Sequence, residues 1–540
     1  MAMRPTRSSP MATLRHCRLF CMSTLYVYLR SAGAKSCMER HLVVSISETL
    51  DLVSLPRHVL NDPGDSLMTT ADSTTQLSDN GGPKIRLGIM MFLQYAVWGV
   101  WLPVLAIYLM ATVDDGGLGF SGADVGWILG VAAASGAITA PFIAGQIADR
   151  FMNAEIALGI LLLIGGLLNI GLAYVTDFFP FMLLSIGYSI CYMPTIALTN
   201  SICFANLSDP ENAFPRVRVW GTIGWIVAST LFGLLYLQSN ISLTWMPWFF
   251  AGSPKPDATT LIANSLIVSG VISLAYGMYS MLFLPRTRPT RSSKHPLAFL
   301  EAFGLLKYRG VFVLTLAALL ISMIHNVYFV RTGPWLETIG FAKGEVGAVM
   351  SVGQIVEIFV LAVLGWFLKG IGFRLVITIG AIAYFLRFAD FAWATSGPKE
   401  LAFIGIALHG FCFAFFFAAA FIFIDRAAPK EARHSAQTAF GIAILGVGPI
   451  LSGFFNGWLD QVGSATSLEA RPEELQELGG LAVSWRSALE GMGVPFFEDG
   501  MSYPAIWWTL AIVGALAAVI VVVAFTDDSD KSSAFGQDTD

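Results

Sequence analysis

From residue 87 to residue 525 the chain alternates long apolar runs with short polar connections. A helix needs roughly 20 mainly apolar residues to cross the hydrocarbon of a bilayer. Twelve segments meet that length: 87–110, 123–146, 154–175, 178–201, 217–238, 260–284, 311–332, 345–368, 374–395, 400–424, 436–458 and 502–525. The pattern predicts an all-α integral membrane protein with twelve transmembrane helices. The longest connections are 239–259, 285–310 and 459–501. The middle one divides the spans six and six, and its PRTRPTRSSKHP is the most basic stretch downstream of Met68. The expected organisation is an N-terminal extension (1–86), a first six-helix half (87–284), a basic central loop (285–310), a second half (311–525) and an acidic tail (526–540).

Polar residues inside the apolar runs carry the chemistry. Glu357 lies in the middle of VMSVGQIVEIFVLAVLGWFL, where a carboxylate costs roughly 2.5–3.5 kcal/mol on insertion scales. Such a residue faces a bundle interior or a watery cavity and reads by default as part of a substrate or proton path. Gln354, three residues earlier, shares its helical face. Arg218, Thr222 and Trp225 fall at i, i+4 and i+7, again one face. A guanidinium, a hydroxyl and a large aromatic together suit a ligand with a flat ring and polar edges, because arginine both stacks and donates hydrogen bonds. The alternative is that Arg218 marks a cytoplasmic helix end. Gln94, Trp98 and Trp101 repeat the spacing. Trp101 fits packing or interfacial anchoring, and Gln94 stays open between packing and lining a cavity. His325, Asn326 and Tyr328 put three polar side chains into one span, and a lone intramembrane histidine is often an interhelical hydrogen bonder. Arg387 and Asp390, three apart, are expected to be structural, neutralising one another or pairing with a neighbouring helix.

Composition agrees with a membrane chain: 55% of residues are hydrophobic and 13% charged, against about 25% charged in soluble domains. The net charge is −5 and no stretch is basic enough for nucleic acid. Six scattered cysteines include no pair at metal-ligand spacing, so neither a disulfide framework nor a zinc site is indicated, and no cofactor is expected. With the N-terminus placed in the cytoplasm, 17 lysines and arginines fall on the cytoplasmic side against 6 outside, which predicts cytoplasmic termini. The first 80 or so residues differ in kind, and translation is expected to begin near Met68, the alternative being a disordered extension. An enzyme is not expected, since no clustered histidines or paired carboxylates form a catalytic constellation. A membrane sensor would carry a soluble output domain, and only an acidic tail follows Phe525.

A six-plus-six arrangement with a basic central loop resembles the major facilitator superfamily, whose two halves surround a midplane site. Gly145-Gln-Ile-Ala-Asp149-Arg150-Phe resembles that superfamily's G-x-x-x-D-R signature, with a weaker echo from Gly365 to Arg374. The resemblance implies that Asp149 and Arg150 help latch the halves in one gating state. The alternative is a positive-inside loop with a charge pair.

Several ordered blocks narrow the resemblance. They are Phe92-Leu-Gln94-Tyr-Ala-Val-Trp98-Gly99-Val-Trp101, Tyr192-Met-Pro194-Thr195 with Asn200, and Arg216-Val-Arg218-Val-Trp220-Gly221-Thr222-Ile-Gly224-Trp225. Gln354-Ile-Val-Glu357, Leu386-Arg387-Phe388 and Arg433-His-Ser435-Ala-Gln437 complete the series. Together they resemble the bacterial nucleoside:proton symporter family, which includes nucleoside and xanthosine permeases, over about residues 87–525. The resemblance implies a monomeric transporter in the bacterial inner membrane that takes a nucleoside-like small molecule and protons. It places Asn326, Phe329, Gln354, Glu357 and Phe413 at ligand-contacting positions, with Arg218, Thr222 and Trp225 opposite. One departure stands out in Leu408-His409-Gly410-Phe411-Cys412-Phe413-Ala414: His409 stands where a tyrosine is common, and Ala414 replaces the family's aspartate. A carboxylate that gains and loses a proton is how a symporter couples to protons. Glu357 or His409 is left to carry it, or transport is uncoupled and the substrate is another polar ring compound such as a sugar.

Overall fold

The computed structural model describes residues 82–144, 151–241, 252–287, 302–428, 433–464, 479–497 and 500–527. Among the described residues, eleven helices are long and apolar enough to cross a membrane. They are α1 (Pro83–Met110), α2 (Gly122–Phe142), α3 (Ala154–Leu172), α4 (Phe178–Asn206), α5 (Ala213–Leu237), α6 (Ala258–Phe283) and α7 (Arg309–Thr338), then Val346–Ser396, and finally α10 (Lys399–Ala427), α11 (Ser435–Val462) and α12 (Tyr503–Ala524). The helix Val346–Ser396 has 51 residues, roughly 75 Å at 1.5 Å per residue, far more than one crossing needs. Gly372 breaks it with φ 77° and ψ 169°, a backbone state open to glycine and strained for any other residue. The two pieces, α8 (346–371) and α9 (373–396), bring the spans to twelve. These form two six-helix halves, α1–α6 and α7–α12.

The helices pack where small residues let backbones approach, as expected in lipid, where apolar burial between helices is not the driving force. Within the first half, α1 crosses α5 at Gly99 and Gly224; a Cβ on Gly224 would lie 2.1 Å from the Phe92 carbonyl oxygen. A buried polar thread stitches α1 to α4: Gln94 donates to Thr195 Oγ1 at 2.7 Å, and the Tyr192 hydroxyl donates to the Gln94 carbonyl at 2.5 Å. Gln94 is fully buried, so it packs here.

The two halves meet near the end of the bundle that carries the α1–α2, α7–α8 and α11–α12 connections, called here the far end. At α2–α11, a Cβ on Gly126 would touch Asn456 and one on Gly130 would strike the Pro449 carbonyl, so these glycines permit the contact. At α5–α8, Ser229 and Thr230 face Ser351 at 3.2 and 3.3 Å. A charge cluster tightens this end. Arg331 of α7, counted from sequence among outer-side charges, is fully buried. It meets Asp460 Oδ1 at 2.7 Å, the Asn456 carbonyl at 2.9 Å and Asn456 Oδ1 at 3.0 Å. Asp460 Oδ2 accepts the Ala123 N–H at 2.9 Å, carrying the cluster across to the first turn of α2. That turn is held by a capping box in which Ser121 and Asp124 exchange side-chain bonds with each other's backbone N–H.

Among the described residues, stretches of wider, π-type helix include Trp127–Ala132, Phe232–Leu237, Cys412–Ala418 and Ala443–Val447. They lie in α2, α5, α10 and α11, and such turns concentrate at functional sites. Outside the spans, a short helix, Gly480–Gly491, packs against α11.

Removing one partner of a buried pair strands the other, at a cost of about 3–5 kcal/mol. Asp460→Ala, which leaves the Arg331 guanidinium without its carboxylate, is therefore expected to lower the thermal unfolding midpoint of the detergent-solubilised protein by many degrees. An unchanged midpoint would show that the cluster contributes nothing to the seal.

Candidate functional site

The helix registers define the level of the site. From the Ser229–Ser351 contact, Glu357 lies six residues further along α8 and Thr222 seven residues back along α5. At 1.5 Å per residue both sit roughly 9–10 Å from that contact, away from the far end, with Arg218 about one turn beyond Thr222. The first half thus offers Arg218, Thr222 and Trp225 at the depth where the second half offers Gln354 and Glu357.

On the first-half side, the Arg218 guanidinium lies 4.1 Å from the Tyr95 ring centroid, a cation–π contact that braces a half-buried side chain. Gly221 makes room for it: a Cβ there would strike both the Tyr95 ring and the guanidinium. Thr222 and Trp225 are buried, at 9% and 6% exposure. Trp225 packs in the central apolar cluster against the α1 crossing at Gly99.

The second half is more polar. Gly353 of α8 and Gly410 of α10 let these helices cross closely; a Cβ on Gly410 would sit 2.6 Å from the Glu357 nitrogen. The crossing sets His409 beside both candidates on α8. Its Nε2 lies 3.0 Å from the Gln354 side-chain amide and 3.7 Å from Glu357 Oε2. Glu357 and His409 are buried. Arg218 of α5 lies within electrostatic range of the Glu357 carboxylate, so the two halves interact through charge at this level.

Behind His409 stands a layer that the spacing of residues along the chain does not assign to the site. Arg387 of α9 is fully buried, approaches His409 Nδ1 at 3.1 Å and stacks its guanidinium 3.6 Å from the Tyr328 ring centroid. His325 stacks on His409 with centroids 5.6 Å apart and planes 18° from parallel, and its Nδ1 meets the Tyr384 hydroxyl at 2.9 Å. Of the two roles open for Arg387 and Asp390, each pairs with the neighbouring α10: Asp390 accepts the Gly405 N–H at 2.8 Å. The available signal is the spacing Tyr384-x-x-Arg387, which puts a phenol and a guanidinium on one face.

The other candidates are more loosely placed. Asn326 donates to the Ser322 carbonyl of its own helix at 3.1 Å, and Phe329 lies edge-on to His325 at 5.3 Å. Phe413, half-buried, packs on Phe417 within the π-type turn, and Ala414 is fully buried beside it. Asp149 and Arg150 lie outside the described residues. Among the described residues, no group of three or more His, Cys, Asp or Glu is placed to hold a metal ion.

Two six-helix halves, with polar side chains from both converging at one depth of an apolar bundle, define a major facilitator transporter. The chain belongs to the nucleoside:proton symporter family: the family model described as Nucleoside H+ symporter matches residues 82–469. Membership makes it a transporter and not an enzyme. YegT of Escherichia coli strain K12 is 30% identical over 84% of this chain and 96% of its own length. The xanthosine permease of the same strain is 30% identical over 69% of this chain and 87% of that protein. Among solved structures, the nucleoside transporter NupG is similar in fold, with a TM-score of 0.64 at 23% identity, covering 82% of this chain and 99% of that one. The xylose transporter XylE from E. coli, in an inward open conformation, matches with a TM-score of 0.54 at 12% identity over 84% of this chain and 98% of its own.

The α8–α10 crossing gives a test of packing. Gly410→Ala puts a methyl group against the Glu357 backbone, and overpacking of this kind costs about 1–3 kcal/mol. Gly365→Ala, further along α8, meets nothing within 4 Å. Thermal unfolding is expected to show the first variant destabilised and the second unchanged or slightly stabilised; equal behaviour would mean the helices are not closely crossed at Gly410.

Proposed function

We propose that the chain imports nucleosides across the bacterial cytoplasmic membrane by proton symport, with substrate held between Arg218 and Thr222 on one side and Gln354 and Glu357 on the other. The observation that carries this is the polar group Gln354–Glu357–His409 on crossing helices, facing an aromatic-braced arginine from the other half, in a chain of this family. A nucleoside has a flat ring and a ribose diol. Arginine stacks on rings and donates to their edges, whereas an amide with a carboxylate grips hydroxyls. Buried polar groups left unpaired by an analogue lacking those hydroxyls penalise it strongly.

The proposed orientation puts both termini in the cytoplasm. The 17-to-6 distribution of lysine and arginine supports it. The far end then faces outward, and its cross-half contacts support a conformation closed on that side. Reporter fusions at Ser292 and Asp540 are both expected to report cytoplasm. An external Asp540 would put the span count off by one.

Glu357 is the proposed proton carrier. It is a buried acid with a cation from the opposite half in electrostatic range. Its surroundings therefore change whenever the halves rock, and a carboxylate's proton affinity rises with desolvation and falls near a cation. A second reading, uniport of another polar ring compound such as a sugar, rests on Ala414 standing in the place of the family's aspartate.

Uptake of labelled nucleosides in cells lacking their own permeases, with and without a proton uncoupler, separates the two. Accumulation that collapses with the uncoupler is expected; equilibration that ignores an imposed pH gradient would identify a uniporter. Glu357→Gln is expected to abolish accumulation while part of the downhill exchange persists, and Ala414→Asp to strengthen or shift the pH dependence. If Glu357→Gln and Arg218→Ala both transport at the wild-type rate, the site lies elsewhere.

A further inference from the structure

Arg387 contributes to no ligand contact assigned above, yet its position constrains the chemistry of the site. A guanidinium has five N–H donors and no acceptor. Its Nη1 lies 3.1 Å from His409 Nδ1, so that ring nitrogen must offer a lone pair. An imidazole keeps at least one proton, which leaves it on Nε2. Nε2–H in turn requires an acceptor. The Gln354 side-chain nitrogen is placed 3.0 Å away, and a half-turn about the last bond of that side chain exchanges it for the oxygen. The amide therefore presents its oxygen to this edge of the ring. Glu357 Oε2, at 3.7 Å, is the other acceptor that a small shift brings into range.

We propose that Arg387 is a positioning residue that holds His409 neutral in the Nε2–H form, so that His409 is a fixed hydrogen-bond donor toward Gln354 and Glu357 and not the group that takes up the transported proton. A second proton on the ring would go to Nδ1, placing N–H against N–H of a cation. The groups around the ring reinforce the assignment. From α7 come His325, stacked on it, and Tyr328, whose ring lies 5.7 Å from the imidazole and carries the Arg387 guanidinium on its face. From α9 come Tyr384, bonded to His325, and Asp390, whose Oδ2 is engaged by the Gly405 N–H. From α8 comes Glu357 itself, with Arg218 of α5 in electrostatic range, and on α10 Cys412 lies near Arg387. The carboxylate is thus the group left free to change charge, while the imidazole aims a donor at it and at the amide that grips substrate. The consequence for coupling rests on the symport reading above; the proton position on the ring does not.

Nitrogen NMR of the intact protein in lipid nanodiscs, with 15N-labelled histidine, measures that position without substrate. The chain has 7 histidines, and the signals lost in His409→Gln identify the ring. Between about pH 5 and 8, where an ordinary histidine titrates, wild-type His409 is expected to stay neutral with a protonated Nε2 and a bare Nδ1. Arg387→Lys, which keeps a cationic donor, is expected to preserve this signature. Arg387→Leu is expected to free the ring to titrate in that range and to add a second ionisation to the pH profile of uptake. A wild-type ring protonated on Nδ1, or one that gains a second proton within the range, overturns the proposal. So does a folded Arg387→Leu protein whose His409 signals are unchanged. If Arg387→Leu does not fold, the wild-type spectrum decides alone. Failed nucleoside uptake beside the expected spectrum would remove the transport reading and leave the assignment standing.

Discussion

A charge inside an apolar slab has no water to fall back on, and the arrangement of the second half follows from that constraint. Glu357 and Arg387 both lie in helices whose other residues are overwhelmingly apolar, and both are buried. An isolated ion there is costly, so it must be met by hydrogen bonds, by an opposite charge or by a polarisable ring. Arg387 is met by the face of Tyr328 and the lone pair of His409. Glu357 is met by the other edge of the same imidazole and, from a distance, by Arg218. One ring therefore separates and serves two opposite charges. The crossing at Gly353 and Gly410, the stacking of His325 on His409 and the bond from Tyr384 to His325 keep that ring in place.

The first half is built differently. Its interior polar groups, such as Gln94, Thr195 and Tyr192, are neutral and bond to one another or to backbone. Neutral bonds of this sort fix helices relative to each other without adding a charge that must be managed. Among its ionisable groups, Glu155 is buried and accepts the Thr287 N–H at 2.9 Å, and Arg218 is half-buried and braced by Tyr95. The two halves therefore behave unlike each other. One presents Arg218 beside a network of mostly neutral bonds, and the other gathers Glu357, His409 and Arg387 into one buried cluster.

Much of this was legible in the chain. Twelve apolar runs, the division at the basic loop and the polar face of α8 follow from span length and helical spacing, which depend on near neighbours alone. Glu357 was conspicuous because a carboxylate is so rare at mid-span. The charge cluster at the far end was not legible, since the partners of Arg331, Asn456 and Asp460, lie about 125 residues away. For Arg387 the sequence left open pairing with Asp390 or with a neighbouring helix, and only the fold selects the second. Long-range pairing between helices depends on how they rotate about their axes, and that is set by packing glycines whose significance appears only in three dimensions. The tightness of the joint between α8 and α9 was also hidden, because a single left-handed glycine, Gly372, suffices to reverse the chain there.

That joint has a mechanical meaning. Gly372 is the one break between the helix bearing Glu357 and the helix bearing Arg387, and it lies 15 residues from each of them. Each charge thus stands at the end of a lever arm of roughly 22 Å. A rotation of about ten degrees between the arms displaces one end against the other by roughly 4 Å. That displacement matches the 3.7 Å separation between Glu357 and the imidazole, so the spacing of the two charges is geometrically tied to the angle at Gly372.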